Sequence, residues 1–172
     1  ANRGEIAIRI MRAAAEMGIH TVAVFSEDDA QSLHTRKADE ARPLRGAGAA
    51  AYLDVEQIIA TAKEAGCDAL HPGYGFLSEN AAFAQRCAEA GITFVGPRAE
   101  VLALFGDKVQ ARALAERCKT PVLPGTSGPT SLEQARDFFS SLGTGGAMMV
   151  KAVAGGGGRG MRAVSQIQDL DD

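Results

Sequence analysis

Apolar positions recur along the chain with two alternating periods. Ile6, Ile10, Ala14 and Met17 are spaced by four, four and three, which predicts a helix over residues 5–18 with Gly18 as its stop. The β-branched run His20–Phe25 (HTVAVF) then predicts a buried strand. Asp54 stands where a helix cap belongs, ahead of an inward face of Val55, Ile58, Ile59 and Ala62. Cys67–His71 reads as a short strand. Ser78 is the expected cap of a helix with Phe83, Ala84, Cys87 and Ala88 inward, ending near Gly91. Ile92–Val95 is a further strand, and helices over about 99–105 and 108–118 follow, with Gly106-Asp107 as break and cap.

Strands alternating with helices indicate an α/β fold, a parallel, doubly wound sheet. Continuous apolar strands agree, because helices cover both faces of such a sheet. Ala1-Asn2-Arg3-Gly4 reads as the turn after a first strand, so the chain is expected to start just inside its own fold. Arg42–Ala51 reads as a flexible low-complexity loop. Pro124–Pro129 (PGTSGP) is the strongest loop signal and marks a boundary. Beyond it, Ser131-Leu132-Glu133-Gln134 has the capping-box pattern, ahead of an inner face of Leu132, Ala135, Phe138, Phe139 and Leu142. Met148–Ala154 is an expected strand, Gly155–Gly160 a glycine-rich loop, and Met161–Val164 the returning strand.

Composition narrows the classes. With 172 residues, 46% hydrophobic and 23% charged, the chain is globular rather than disordered. A formal charge of −3 argues against a nucleic-acid binder driven by bulk charge. No apolar run is long enough to cross a membrane, and no signal pattern opens the sequence. The three cysteines, Cys67, Cys87 and Cys118, are too far apart to clip a metal. They read as small buried apolar side chains in a reducing compartment, with the cytoplasm as expected location.

Candidate chemistry collects in three places. Gly155-Gly156-Gly157-Gly158-Arg159-Gly160 formally matches a dinucleotide fingerprint, but a strand rather than a helix follows it, and no Gly-Lys-Ser/Thr completes a P-loop. A glycine-rich hairpin loop fits better. Its backbone N–H groups could approach phosphate oxygens, with Lys151 adding a point charge; a plain flexible hairpin remains the alternative. Lys108 opens a helix, where the dipole disfavours a cation but favours a phosphate; a solvated lysine is the competing reading. His71–Asn80 (HPGYGFLSEN) forms a sharply shaped loop where a strand ends, the usual ligand position in doubly wound sheets, or else an ordinary structured loop. Ser26-Glu27-Asp28-Asp29 reads as a solvated acidic loop rather than a ribose site.

At these residues the chain resembles the N-terminal part of biotin carboxylase, as found in acetyl-CoA, propionyl-CoA and pyruvate carboxylases. The matching stretches are ANRGEIAIRI (1–10), Ser26–Ala41 with His34 and Ala38-Asp39-Glu40-Ala41, HPGYGFLSEN (71–80), FVGP (94–97), GDK (106–108), VLPG (122–125) and VKAVAGGGGRGMR (150–162). The resemblance implies a Rossmann-like pre-ATP-grasp domain over 1–105, connecting helices over 106–122, and the beginning of an ATP-grasp lid subdomain over 123–172. It implies ATP contacts for Lys108, Lys151, Gly155, Gly156, Gly157, Gly158, Gly160 and Met161. Tyr74, Gly75 and Glu79 match a loop near the biotin and bicarbonate end. The implied reaction is ATP- and bicarbonate-dependent carboxylation of biotin carried on a carrier protein or domain, serving a carboxyltransferase.

An acetyl-CoA carboxylase of fatty acid biosynthesis is among the parents this suggests. The Mg2+ ligands, the base for bicarbonate and the arginine facing biotin fall outside this sequence, so the isolated chain is expected to be inactive. A homodimer through the first domain is also implied, with Arg9, Arg12 and Glu16 on the polar face of the first helix. Another ATP-grasp ligase of carbamoyl-phosphate synthetase type, or a non-catalytic nucleotide-binding or dimerisation module, is the alternative.

Overall fold

The computed structural model describes residues 1–126, 128–152 and 160–171. The chain divides into two compact units, Ala1–Gly106 and Asp107–Asp172. In the first, α1 (Gly4–Glu16) leads to β1 (Val22–Phe25), two short 3-10 turns (Glu27–Asp29 and Leu33–Arg36), β2 (Glu40–Pro43), α2 (Gly48–Ala51) and α3 (Val55–Glu64). β3 (Ala69–Leu70), α4 (Ala81–Glu89), β4 (Thr93–Phe94) and α5 (Ala99–Gly106) complete it.

The strand pairs of this unit are parallel: β1 with β2, from Val22 opposite Glu40 to Phe25 opposite Pro43, and β3 with β4 through the α4 crossover. Among the described residues these are two separate two-stranded ladders rather than one continuous sheet. Helical cover on both faces is nevertheless visible at β1. Ala23 clusters with Ala7 and Met11 of α1, whereas Val24 belongs to the larger core of Leu44, Tyr52, Ile58, Phe83 and Cys87. Neighbouring strand residues point to opposite faces, so the two clusters lie on either side of β1.

Several expectations need correcting. The buried line of α1 is Ala7 and Met11; Ile6, Ile10 and Ala14 are only half-buried, and Met17 lies past the helix and is 73% exposed. Ile6, Ala7, Ile10 and Met11 offer two adjacent apolar lines, and the period alone does not choose between them. The loop expected over 42–51 contains part of β2 and all of α2. β2 escapes a hydrophobic search because three of its four residues are exposed, and its proline sits at the last position, as edge strands allow. The cap of α4 is Asn80, whose side chain accepts from Phe83 N at 2.9 Å, not Ser78. Ser78 instead sits in the preceding turn, its N–H donating to the Gly75 carbonyl. Ala88 and Cys118 are exposed, and only Cys87 of the three cysteines is fully buried.

The second unit holds α6 (Lys108–Arg117), α7 (Leu132–Ser141), an antiparallel hairpin of β5 (Met148–Lys151) and β6 (Met161–Val164), and a closing 3-10 turn. Asp107 caps α6 by accepting from Val109 and Gln110 N–H groups. Ser131 and Gln134 form the expected capping box of α7. The inner face of α7 is shallower than expected: Leu132 is 49% exposed and Phe138, Phe139 and Leu142 are half-buried.

Candidate functional site

The chain brings Tyr74 and Gly75 against the turn that opens the molecule. Ala1 N donates to the His71 carbonyl at 2.8 Å. The Asn2 side-chain amide donates to the carbonyls of Pro72 at 2.7 Å and Tyr74 at 2.8 Å, and its Oδ1 accepts from Arg3 N at 2.8 Å. Within the loop, His71 Nδ1 accepts from Gly73 N at 3.0 Å. That bond fixes the neutral tautomer with its proton on Nε2, and burial holds the His71 pKa below its usual range.

A cleft of about 410 Å³ opens between these segments, lined by Arg3, Gly4, Glu5, Tyr74, Gly75 and Phe76 among others. Tyr74 is 64% exposed, and its hydroxyl lies 3.4 Å from Glu5 Oε2. Phe76 adopts φ +44, a left-handed conformation uncommon outside glycine. It is held there by stacking on buried Tyr52, with ring centres 5.2 Å apart, and by the Arg3 guanidinium over both rings at 5.6 and 5.8 Å.

Beneath that stack lies the acidic turn Ser26–Asp29, where Glu27 and Asp28 are exposed as expected of a solvated loop but Ser26 and Asp29 are not. Ser26 is buried, and its N–H donates to Tyr52 OH at 3.2 Å. Asp29 accepts from Arg3 Nη1 at 2.9 Å, Tyr52 OH at 2.8 Å and Ser32 Oγ at 2.8 Å. Burial alone would raise the Asp29 pKa, but the hydrogen bonds from Arg3, Tyr52 and Ser32 outweigh it and hold it at about 2. Asn2, Arg3, Asp29, Tyr52 and Phe76 are thus site-shaping residues that no local sequence pattern marks for this role. Apart from Ser26 and Ser32, close to Asp29, and Arg3, next to Asn2, their partners lie 23 to 73 residues away, beyond the reach of any local pattern.

Glu79 sits on the exposed turn before α4 and is not part of the cleft lining. In the second unit Lys151 is the exposed last residue of β5, directly opposite Met161. Ala152 N donates to the Gly160 carbonyl at 2.7 Å, and Gly160 has φ +70 with Ala152 Cβ only 2.8 Å from where its own Cβ would stand. Glycine is therefore required at that corner. Lys108, exposed at the first position of α6, follows Asp107. Hydrogen bonds from the Gln110 side chain, then the backbone of Gln110 and Val109, keep the Asp107 carboxyl below its usual range. Gly155, Gly156, Gly157 and Gly158 lie outside the described residues. Among the described residues no cluster of His, Cys, Asp and Glu could hold a metal ion, and no helix is long and apolar enough to cross a membrane.

Comparison with known proteins joins these features. Residues 1–102 match the family described as biotin carboxylase, N-terminal domain. The chain belongs to that family. Residues 107–172 match the ATP-binding domain of the carbamoyl-phosphate synthase L chain. That second match alone would admit a carbamoyl-phosphate synthase-type ligase; the match over 1–102 separates the two. Pyruvate carboxylase of Staphylococcus aureus is 55% identical over 176 residues, covering 100% of this chain and 15% of that protein. Biotin carboxylase of Campylobacter jejuni, solved as a β,γ-ATP complex, superposes with TM-score 0.93 at 42% identity over 98% of this chain and 38% of its own. The biotin carboxylase domain dimer of Hydrogenobacter thermophilus 2-oxoglutarate carboxylase, in complex with MgADP, ADP and bicarbonate, gives 0.89 at 42% over 99% and 37%. The chain thus spans about 15% of the length of the curated relatives it matches. Those relatives are pyruvate carboxylases, which leaves acetyl-CoA carboxylase and fatty acid biosynthesis without support.

Proposed function

We propose that this chain is the N-terminal part of the biotin carboxylase component of a pyruvate carboxylase-type enzyme. The observation that carries the reading is the 55% identity to a pyruvate carboxylase across the whole chain. In this reading residues 1–105 form the first domain, 106–122 the connecting helices, and 123–172 the start of the ATP-grasp lid. ATP and bicarbonate give carboxyphosphate and ADP; the carboxyl group then moves to a ureido nitrogen of biotin on its carrier, and phosphate leaves. Bound Mg2+ would neutralise phosphate charge, through ligands outside the described residues.

Lys151 stands at the mouth of the β5–β6 hairpin, exposed and suited to a phosphate oxygen, and Gly160, bonded to the neighbouring Ala152, keeps the corner open for a close backbone approach. Lys108, Gly155–Gly158 and Met161 complete the proposed nucleotide contacts. Tyr74, Gly75 and Glu79 are proposed to face the biotin and bicarbonate side. The parent is proposed to act as a homodimer with a biotin carrier and a carboxyltransferase, while the isolated chain does not carboxylate biotin.

Titration of the chain with ATP tests the nucleotide role. Lys151→Ala is expected to weaken binding about tenfold, roughly 1.4 kcal/mol. Equal binding by both proteins removes that role, and free-biotin carboxylation by the chain above a no-enzyme control removes the inactivity.

A further inference from the structure

We propose that Asn2 is a positioning residue for carboxyl transfer, setting the backbone from which Tyr74 projects. The inference rests on the reading that the Tyr74 loop faces biotin. Asn2 is 6% exposed, and both of its amide hydrogens are committed, one to the Pro72 carbonyl and one to the Tyr74 carbonyl. Its Oδ1 takes the Arg3 N–H, which ties the same side chain to the start of α1. A single buried side chain therefore bridges the carbonyls on either side of Gly73. Asparagine supplies two donors and one acceptor on a short stem; aspartate lacks the donors and leucine lacks all three groups.

Gly73 shows how closely this clamp fits. It sits at φ +71, and a Cβ there would stand 2.7 Å from Asn2 Nδ2. Any side chain would push the amide off its two carbonyls, so asparagine at 2 and glycine at 73 are one device. Downstream, Phe76 is pinned by Tyr52 and Arg3. The backbone is thus anchored on both sides of Tyr74-Gly75, whereas Tyr74 itself remains 64% exposed beside the cleft it lines. A fixed main chain beneath an accessible ring is the arrangement that places a contact group without burying it. Loss of Asn2 leaves one buried and one part-buried carbonyl without their donor and lets this segment shift, and displacements of about 1 Å can cost on the order of 10²-fold in productive orientation.

The test uses the complete carboxylase that carries this sequence, with free biotin as acceptor. Two reactions are followed: biotin carboxylation, and bicarbonate-dependent ATP cleavage without biotin. Asn2→Ala is expected to raise the KM for biotin about tenfold while ATP cleavage and the KM for ATP change less than twofold. Asn2→Asp, which keeps size and the Arg3 contact but removes both donors, is expected to do the same and serves as the reporter if Asn2→Ala does not fold. Adding either change to Tyr74→Ala is expected to give little beyond Tyr74→Ala alone, the non-additivity of residues acting through one another. Equal losses in both reactions, or no change in the KM for biotin while Tyr74→Ala raises it, would overturn the role of Asn2 alone. A Tyr74→Ala enzyme with an unchanged KM for biotin would overturn the underlying reading as well.

Discussion

The two units of this chain hold their candidate residues in different ways. In Ala1–Gly106 the Tyr74 loop is fixed by hydrogen bonds and ring contacts to residues 24 to 73 positions away, over a core that includes Tyr52, Phe83 and Ile58. In Asp107–Asp172 the buried residues among those described are Val164 and Leu170, and Lys151 is placed by the local register of a hairpin. The acceptor end proposed for the reaction is therefore preorganised by the fold, so little ordering remains to be done when a ligand arrives. The proposed phosphate end offers exposed lysines and glycine corners. On that proposal, these groups are the ones that a bound nucleotide would order.

The largest test of that contrast compares two phenylalanines. Phe83 is fully buried and meets Phe94 edge-on, with ring centres 5.8 Å apart. Phe83→Ala is expected to cost about 3–5 kcal/mol in denaturant unfolding of the first unit, the range for emptying a packed aromatic site. Phe138 of α7 is only half-buried, so Phe138→Ala is expected to cost less than half as much. Equal losses, each followed by the exchange of its own unit's amides, would break the comparison.

How much of this was legible in the sequence follows the same division. Features set within a few residues of one another were readable: the caps Asp54, Asp107 and Ser131, the helices behind them, and the β5–β6 hairpin. Glycine and proline also marked HPGYGFLSEN as a shaped loop before any partner was known. The clamp on that loop was not readable, because Asn2 and its carbonyl partners are 70 and 72 residues apart. Asp29 looked like one more solvated acid because its partners Arg3 and Tyr52 lie far from it in sequence. β2 was missed for a different reason: it is an exposed edge whose ladder to β1 is satisfied by backbone groups, which side-chain patterning does not report.

A middle-sized effect should come from Asp29. Its folded pKa of about 2 lies below the ordinary 3.8, so the unfolded chain takes up the proton first. The stabilisation is whole above pH 3.8 and is lost as pH falls through about 2. The shift corresponds to about 2 kcal/mol. Asp29→Asn is expected to be less stable than the parent by about that amount near neutral pH, with the gap closing towards pH 2. A gap that persists unchanged to pH 2 would mean that the carboxylate charge is not what holds Arg3 and Tyr52 beneath the Tyr74 loop.

The smallest effect belongs to the second unit and asks whether its elements are held locally. Ser131 Oγ accepts from Gln134 N at 3.2 Å, and Gln134 Oε1 accepts in return from Ser131 N at 2.9 Å. The two bonds satisfy backbone donors that α7 leaves open at its first turn. Ser131→Ala removes one of them and is expected to cost about 1 kcal/mol, read as roughly fivefold faster hydrogen exchange across α7. Because none of the α7 residues is fully buried, packing has little capacity to mask the loss of the cap. Unchanged exchange in α7 would show that its half-buried face, rather than its capping box, holds the helix, and would make the second unit more like the first.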